Sequence, residues 1–182
     1  MSDSDALPNE IDMSVPSDVA WVKARNDPAL WHQAMIATLA YLGDKHGFLP
    51  WLVQQPNMDR ATAGWLLFWV QGSRYLRGEQ HSYWARIHDD EVTQILNALC
   101  ARSERIGFPE DRLGLEAAWE ERRQECLDVV AKGEVAEGIT IPFNIISEPF
   151  SAPRHSGAYE VHDGLLISLD FLRSELADIF ED

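Results

Sequence analysis

Two histidines, His81 and His88, followed directly by Asp89, Asp90 and Glu91, form the densest run of metal-ligating side chains in this 182-residue sequence. Positions 81 and 88 lie about two helical turns apart, so both imidazoles project from roughly one helix face. Imidazole with carboxylate is a ligand set for zinc or iron. A metal-dependent enzyme using His81, His88 and Asp89 is therefore the catalytic reading of the sequence. The same residues have a plainer explanation. Acids at a helix start complement the helix dipole, and histidines there stand as surface or half-buried side chains. That explanation is the stronger, so no metal and no cofactor is assigned.

Other catalytic signatures are absent. The chain contains no GxGxxG, no Walker Gly-Lys-Ser/Thr, no GxSxG and no HExxH, which removes the usual marks of nucleotide hydrolysis and zincin chemistry. His155 and His162-Asp163 fall in a C-terminal loop region, where Asp163 already has a turn role. Glu120-Glu121 beside Arg122-Arg123 reads as a solvated, ion-paired helix face. Cys100 and Cys126 lie far apart on predicted helices with no CxxC, the pattern of small buried residues.

A binding surface is the remaining option. Arg74, Tyr75 and Arg77, with Tyr83 and Arg86 beyond them, combine the residue types that dominate protein-contact hot spots. Trp51, Trp65, Trp69, Trp84 and Trp119 raise the thought of a stacking platform. Their aliphatic neighbours point to core instead, because nucleobase binding also wants interleaved Lys and Arg.

Charge narrows the partner. The net charge is −15, and residues 1 to 20 carry five acids with no Lys or Arg, while residues 134 to 182 carry ten acids against two bases. Such a chain repels phosphate backbones and anionic membrane surfaces and attracts basic proteins. Nucleic acid and membrane are disfavoured. The longest apolar run, Ala61 to Val70, is half of the roughly 20 residues that span a bilayer. An acidic N-terminus without an apolar stretch behind it does not read as a targeting peptide, so a cytoplasmic location is expected.

Helices must position these residues. The pattern predicts a loose acidic tail over 1–15 and a single helical domain over 16–182. Ser17 caps a short helix to Lys23. Asp27-Pro28 opens a longer one with Leu30, Trp31, Ala34, Met35, Leu39 and Leu42 on one face. Asp59 caps a helix over about 60–71 that is apolar all round, the candidate centre of the fold, with Gly64 admitting a close neighbour. Val92, Ile95, Leu96 and Leu99 mark another helix, and a further one runs from about Asp111 to Lys132. After Gly138 the language turns β-branched, so residues 139–169 read as a small β element and loop. Within it, a three-residue turn at His162-Asp-Gly164 sets Val161 opposite Leu165 and Tyr159 opposite Ile167. A helix over 170–180 closes the chain.

The stretch Gln55-Pro-Asn-Met-Asp59-Arg-Ala-Thr62-Ala-Gly-Trp-Leu-Leu-Phe68-Trp69 resembles an uncharacterised bacterial domain family whose core segment reads Pro, a polar residue, Cys-Asp, two small residues, Thr-Ala, aliphatics, Phe-Trp. Met58 replaces the Cys and Gly64 an aliphatic. The resemblance covers about residues 40–76 and implies an α-helical bacterial protein, with no catalytic residues to carry over. The expectation is thus a mainly α, non-catalytic, cytoplasmic protein-interaction protein, in its sharpest form an immunity or inhibitor protein that masks a basic partner.

Overall fold

The structure is a computed structural model and describes residues 7–40, 43–79, 89–154 and 157–180. In chain order its elements are β1 (Glu10–Asp12), α1 (Pro16–Lys23), α2 (Pro28–Ala40), α3 (Phe48–Leu52), α4 (Arg60–Trp69), α5 (Gly72–Leu76), α6 (Asp89–Arg105), α7 (Ala118–Ala131), α8 (Phe143–Ile146), β2 (Tyr159–His162), β3 (Leu165–Ser168) and α9 (Leu169–Phe180). The protein is mainly α, with one small antiparallel sheet among the described residues. The chain groups into two compact units: residues 1–48 with 156–182, and residues 49–155.

The first unit joins the two chain ends. Asp27 caps α2 as its sequence predicts, its Oδ1 accepting from the N–H groups of Ala29 and Leu30 at 3.0 and 3.1 Å. α1 begins two residues ahead of expectation, with Val15 at the N-cap and Pro16 in the first turn, so Ser17 lies inside the helix. Proline needs no N–H partner there and its fixed φ suits a first turn. The sheet has the order β1-β3-β2. Residues 10–12, assigned above to a loose tail, pair with β3, and Ile11 is buried there. An alternating Glu-Ile-Asp triplet is too short to announce itself as a strand, and a ready-made edge recruits it.

The β2–β3 turn corrects a second expectation. The register sets Tyr159 opposite Ser168, Val161 opposite Leu166 and His162 opposite Leu165, which leaves a two-residue turn of Asp163 and Gly164. Both have positive φ, +50° and +83°. Such a pair matches the right-handed twist of the strands. Tyr159, Val161, Leu166 and Ile11 then share one face, and α2 packs against β2 and β3. Sliding by one residue would turn that set over.

In the second unit, Asp59 caps α4 through a 2.8 Å bond from the N–H of Ala61, and every residue from Arg60 to Phe68 is buried. The other oxygen of Asp59 accepts from the N–H of Arg112 at 2.8 Å. Gly64 does admit a close neighbour, the ring of Phe150. α7 begins at Ala118 rather than near Asp111. Residues 113–115 instead run beside 151–154, with Leu115 N–H to Ser151 O at 2.9 Å and Arg154 N–H to Leu113 O at 2.8 Å. The β-rich segment expected from Ile139 holds no strand through residue 146. Pro142 instead starts the helical turn α8, which buries Ile145 and Ile146. A proline cannot donate to a ladder but begins a helix readily.

So short a helix leaves nearly all its carbonyls without intrahelical partners. Two buried arginines supply them. Arg60 donates to Asn144 O and Ile145 O, each at 3.0 Å, and to Glu148 O. Arg123 donates to Ile146 O at 2.7 Å.

Candidate functional site

Helical spacing brings Trp65 and Trp69 to one side of α4, where their rings stack at 4.8 Å between centroids and 15° between planes. Trp119, in the first turn of α7, closes on both at 5.3 and 6.3 Å. Its indole N–H donates to Glu116 at 3.0 Å. Trp65 is buried, but Trp69 keeps 41% of its surface exposed. Two chain segments thus lock a large aromatic surface in place and present its outer ring to solvent.

Immediately after Trp69 the chain breaks direction. Gln71 takes a left-handed conformation, φ 56° and ψ 59°, which separates α4 from α5. Non-glycine residues enter that region rarely and at a cost. The turn aims Arg74 of α5 and Arg77 just after it at Arg122, Glu125 and Asp128 of α7 and Lys132 just after it, which follow one another at helical spacing. The cleft between these side chains has a volume of about 330 Å³.

Its cations are oriented by acids. Arg74 Nε pairs with Glu79 at 3.0 Å, Arg77 Nε with Glu134 at 2.9 Å, and Arg122 Nη1 with Glu125 at 3.0 Å. Ser73 also donates to Glu125, at 3.3 Å. The result is a mixed-charge rim, not a positive patch. Exposed pairs of this sort contribute little to stability, and their use is to hold long side chains in position.

Of the residues singled out from sequence as a contact surface, the structure keeps two at the cleft. Tyr75 is buried, 3% exposed, and its hydroxyl donates to Asn97 at 2.6 Å. Burial raises its pKa, so it packs the interior behind Arg74 and Arg77. His81 and His88 lie outside the described residues, as do Tyr83, Trp84, Arg86 and His155. Asp89 opens α6, its side chain likewise outside the description. Among the described residues, no group of three or more His, Cys, Asp and Glu is disposed to hold a metal ion. His162 sits at the hairpin, 3.5 Å from Glu160.

Cys100 and Cys126 are buried as expected, and burial pushes both thiols up to about 12. Neither supplies a thiolate at neutral pH. The Arg122-Arg123 pair divides in two. Arg122 stays on the solvated face, while Arg123 is buried and holds α8. The sequence reading also put the tryptophans in the core and so missed the exposed Trp69. Its spacing of four from Trp65 was the available signal.

Compared with known proteins, the chain significantly matches no family model, no curated protein and no solved structure. No described helix is long and apolar enough to cross a membrane.

Proposed function

We propose that this is a non-catalytic protein-interaction protein whose contact face is Trp69 with the adjoining α5–α7 cleft. One observation carries the reading: Trp69 is exposed yet fixed by stacking on Trp65. An aromatic anchor already held in place loses little entropy on binding, and Trp and Arg are the residues that most often dominate contact energies. Arg74, Arg77 and Arg122 flank it, each turned by an acid.

The partner in this reading is a protein, and the net charge of −15 favours a basic one through steering. An immunity or inhibitor role, in a cytoplasmic bacterial setting, is the concrete version. Nucleic acid fits less well, since a stacking platform for bases combines aromatics with uncompensated cations, and these arginines are compensated. In the same reading α4 is the centre of the fold, because it carries the two stacked tryptophans and is buried along nine of its ten residues.

The test uses the full chain as bait in lysate of its native cell, with mass spectrometry of captured proteins. A partner retained by the natural protein and lost with both Trp69→Ala and Arg74→Glu/Arg77→Glu is expected. Capture untouched by either variant overturns the proposed face, and capture insensitive to salt overturns the electrostatic part.

A further inference from the structure

We infer that the cavity in the unit formed by residues 1–48 and 156–182 binds a small organic cation, a ligand with an ammonium group on an apolar body. The cavity has a volume of about 500 Å³. Ligand sites typically fall at roughly 300–1,000 Å³.

Its walls come from three places. Met13 follows β1, Ala37 and Thr38 belong to the second half of α2, and Leu165 begins β3. The ionisable residues among its described lining are Asp12 and Asp163, and no Lys or Arg is among them. The sheet register explains how two acids so distant in sequence meet at one cavity. Asp12 ends β1 opposite Leu165, and Asp163 lies two residues before Leu165 in the turn.

Donor and acceptor roles set the ligand's chemistry. Asp12 Oδ1 already accepts from the N–H of Ser14 at 2.8 Å, which leaves its second oxygen available. Ionised carboxylates only accept. The Thr38 hydroxyl spends its hydrogen on Ala34 O at 2.7 Å, so it too has only acceptor capacity left. Ser14, Gly43 and Gly164 complete the described lining, and the Ser14 hydroxyl can donate or accept, so the two aspartates set the sign of the ligand: negative charge beside Met13, Ala37 and Leu165 suits an ammonium on a hydrocarbon body. A carboxylate ligand would meet two like charges. The unit as a whole reinforces this, with fourteen acids against four Lys or Arg, a net of −10.

The experiment is a residue-resolved NMR titration of the full chain with three probes of similar shape: phenethylamine, 2-phenylethanol and 3-phenylpropanoate. The amine is expected to shift the amides of Met13, Thr38 and Gly164 saturably, at least tenfold more tightly than the alcohol, while the carboxylate shifts none. A second protein, Asp12→Asn/Asp163→Asn, separates charge from folding. Asparagine tolerates the left-handed turn position as well as aspartate does, and at position 12 it still accepts from Ser14. Its melting temperature is expected to match the natural protein, and its preference for amine over alcohol to vanish. Equal binding of amine and alcohol by the natural protein overturns the assignment of a cation. So does an amine preference that survives in the double variant. Absence of saturable shifts around the cavity with every probe at millimolar concentration overturns the site itself.

Discussion

Arg60 and Arg123 donate to consecutive carbonyls of one helical turn: Arg60 Nη2 to Ile145 O at 3.0 Å and Arg123 Nη1 to Ile146 O at 2.7 Å. The two arginines come from α4 and α7, so α8 is fastened by two earlier helices that lie far apart in sequence. Arg60 also lies over the ring of Phe150, 4.0 Å from its centroid. A buried carbonyl left unpaired costs about 1–3 kcal/mol. Arg60→Met is expected to lower unfolding free energy by about 3 kcal/mol or more, since several carbonyls lose their donor at once. Arg60→Lys should recover less than half, because an ammonium cannot reproduce the planar fork. Urea midpoints decide it, and a fully restored Lys variant would sink the account.

Asp59 uses both carboxylate oxygens, one on the N–H of Ala61 and one on the N–H of Arg112, each at 2.8 Å. Loss of a helix cap alone costs about 0.5–2 kcal/mol. Asp59→Ala also leaves the Arg112 amide without its acceptor, so about 2–4 kcal/mol is expected in total. Asp59→Asn keeps a single acceptor oxygen and should fall between the two. Denaturant unfolding of both variants checks the order.

His32 is buried in α2, 9% exposed, and burial lowers its pKa from 6.5 to about 4. Between those values the unfolded chain takes up a proton that the folded protein refuses. Stability from this group is complete above pH 6.5 and is lost as pH falls towards 4. From pH 7.5 to 5 the expected loss is about 2 kcal/mol. His32→Gln should flatten that slope between the same pH values. An unchanged slope in the variant would mean that other groups set the acid sensitivity.

Gly64 sits inside α4, where alanine would ordinarily gain about 1 kcal/mol. Here a Cβ would stand 2.5 Å from Cζ of Phe150, whose ring is held edge-on to Phe68 and beneath the Arg60 guanidinium. Gly64→Ala is therefore expected to destabilise by about 1–3 kcal/mol, the ordinary cost of overpacking. Pairing it with Phe150→Leu should restore part of the loss. Thermal melts of the single and double variants test the contact directly.

The starts of α2 and α4 were legible because their chemistry is local. Asp27 and Asp59 cap from the positions their sequence context implies, with Pro28 and Arg60 next in the chain. Where two local preferences competed, neighbours decided. Residues 139–146 hold β-branched side chains around Pro142, and 143–146 become a helical turn whose carbonyls Arg60 and Arg123 serve. Of Arg74, Tyr75 and Arg77, helical spacing alone does not say which side faces inward, and packing buried the tyrosine.

By itself, then, the sequence determined the mainly helical class, the caps at Asp27 and Asp59, the buried apolar face of α4 and the burial of both cysteines, because each follows from a few neighbouring residues. Tertiary structure alone decided the rest. It drew residues 10–12 into a sheet edge, fixed the two-residue turn, placed Asp12 and Asp163 on one cavity, and brought Trp119 onto Trp65 and Trp69. Each of these joins segments distant along the chain, and no local preference encodes such a meeting until the chain ends and helices have packed.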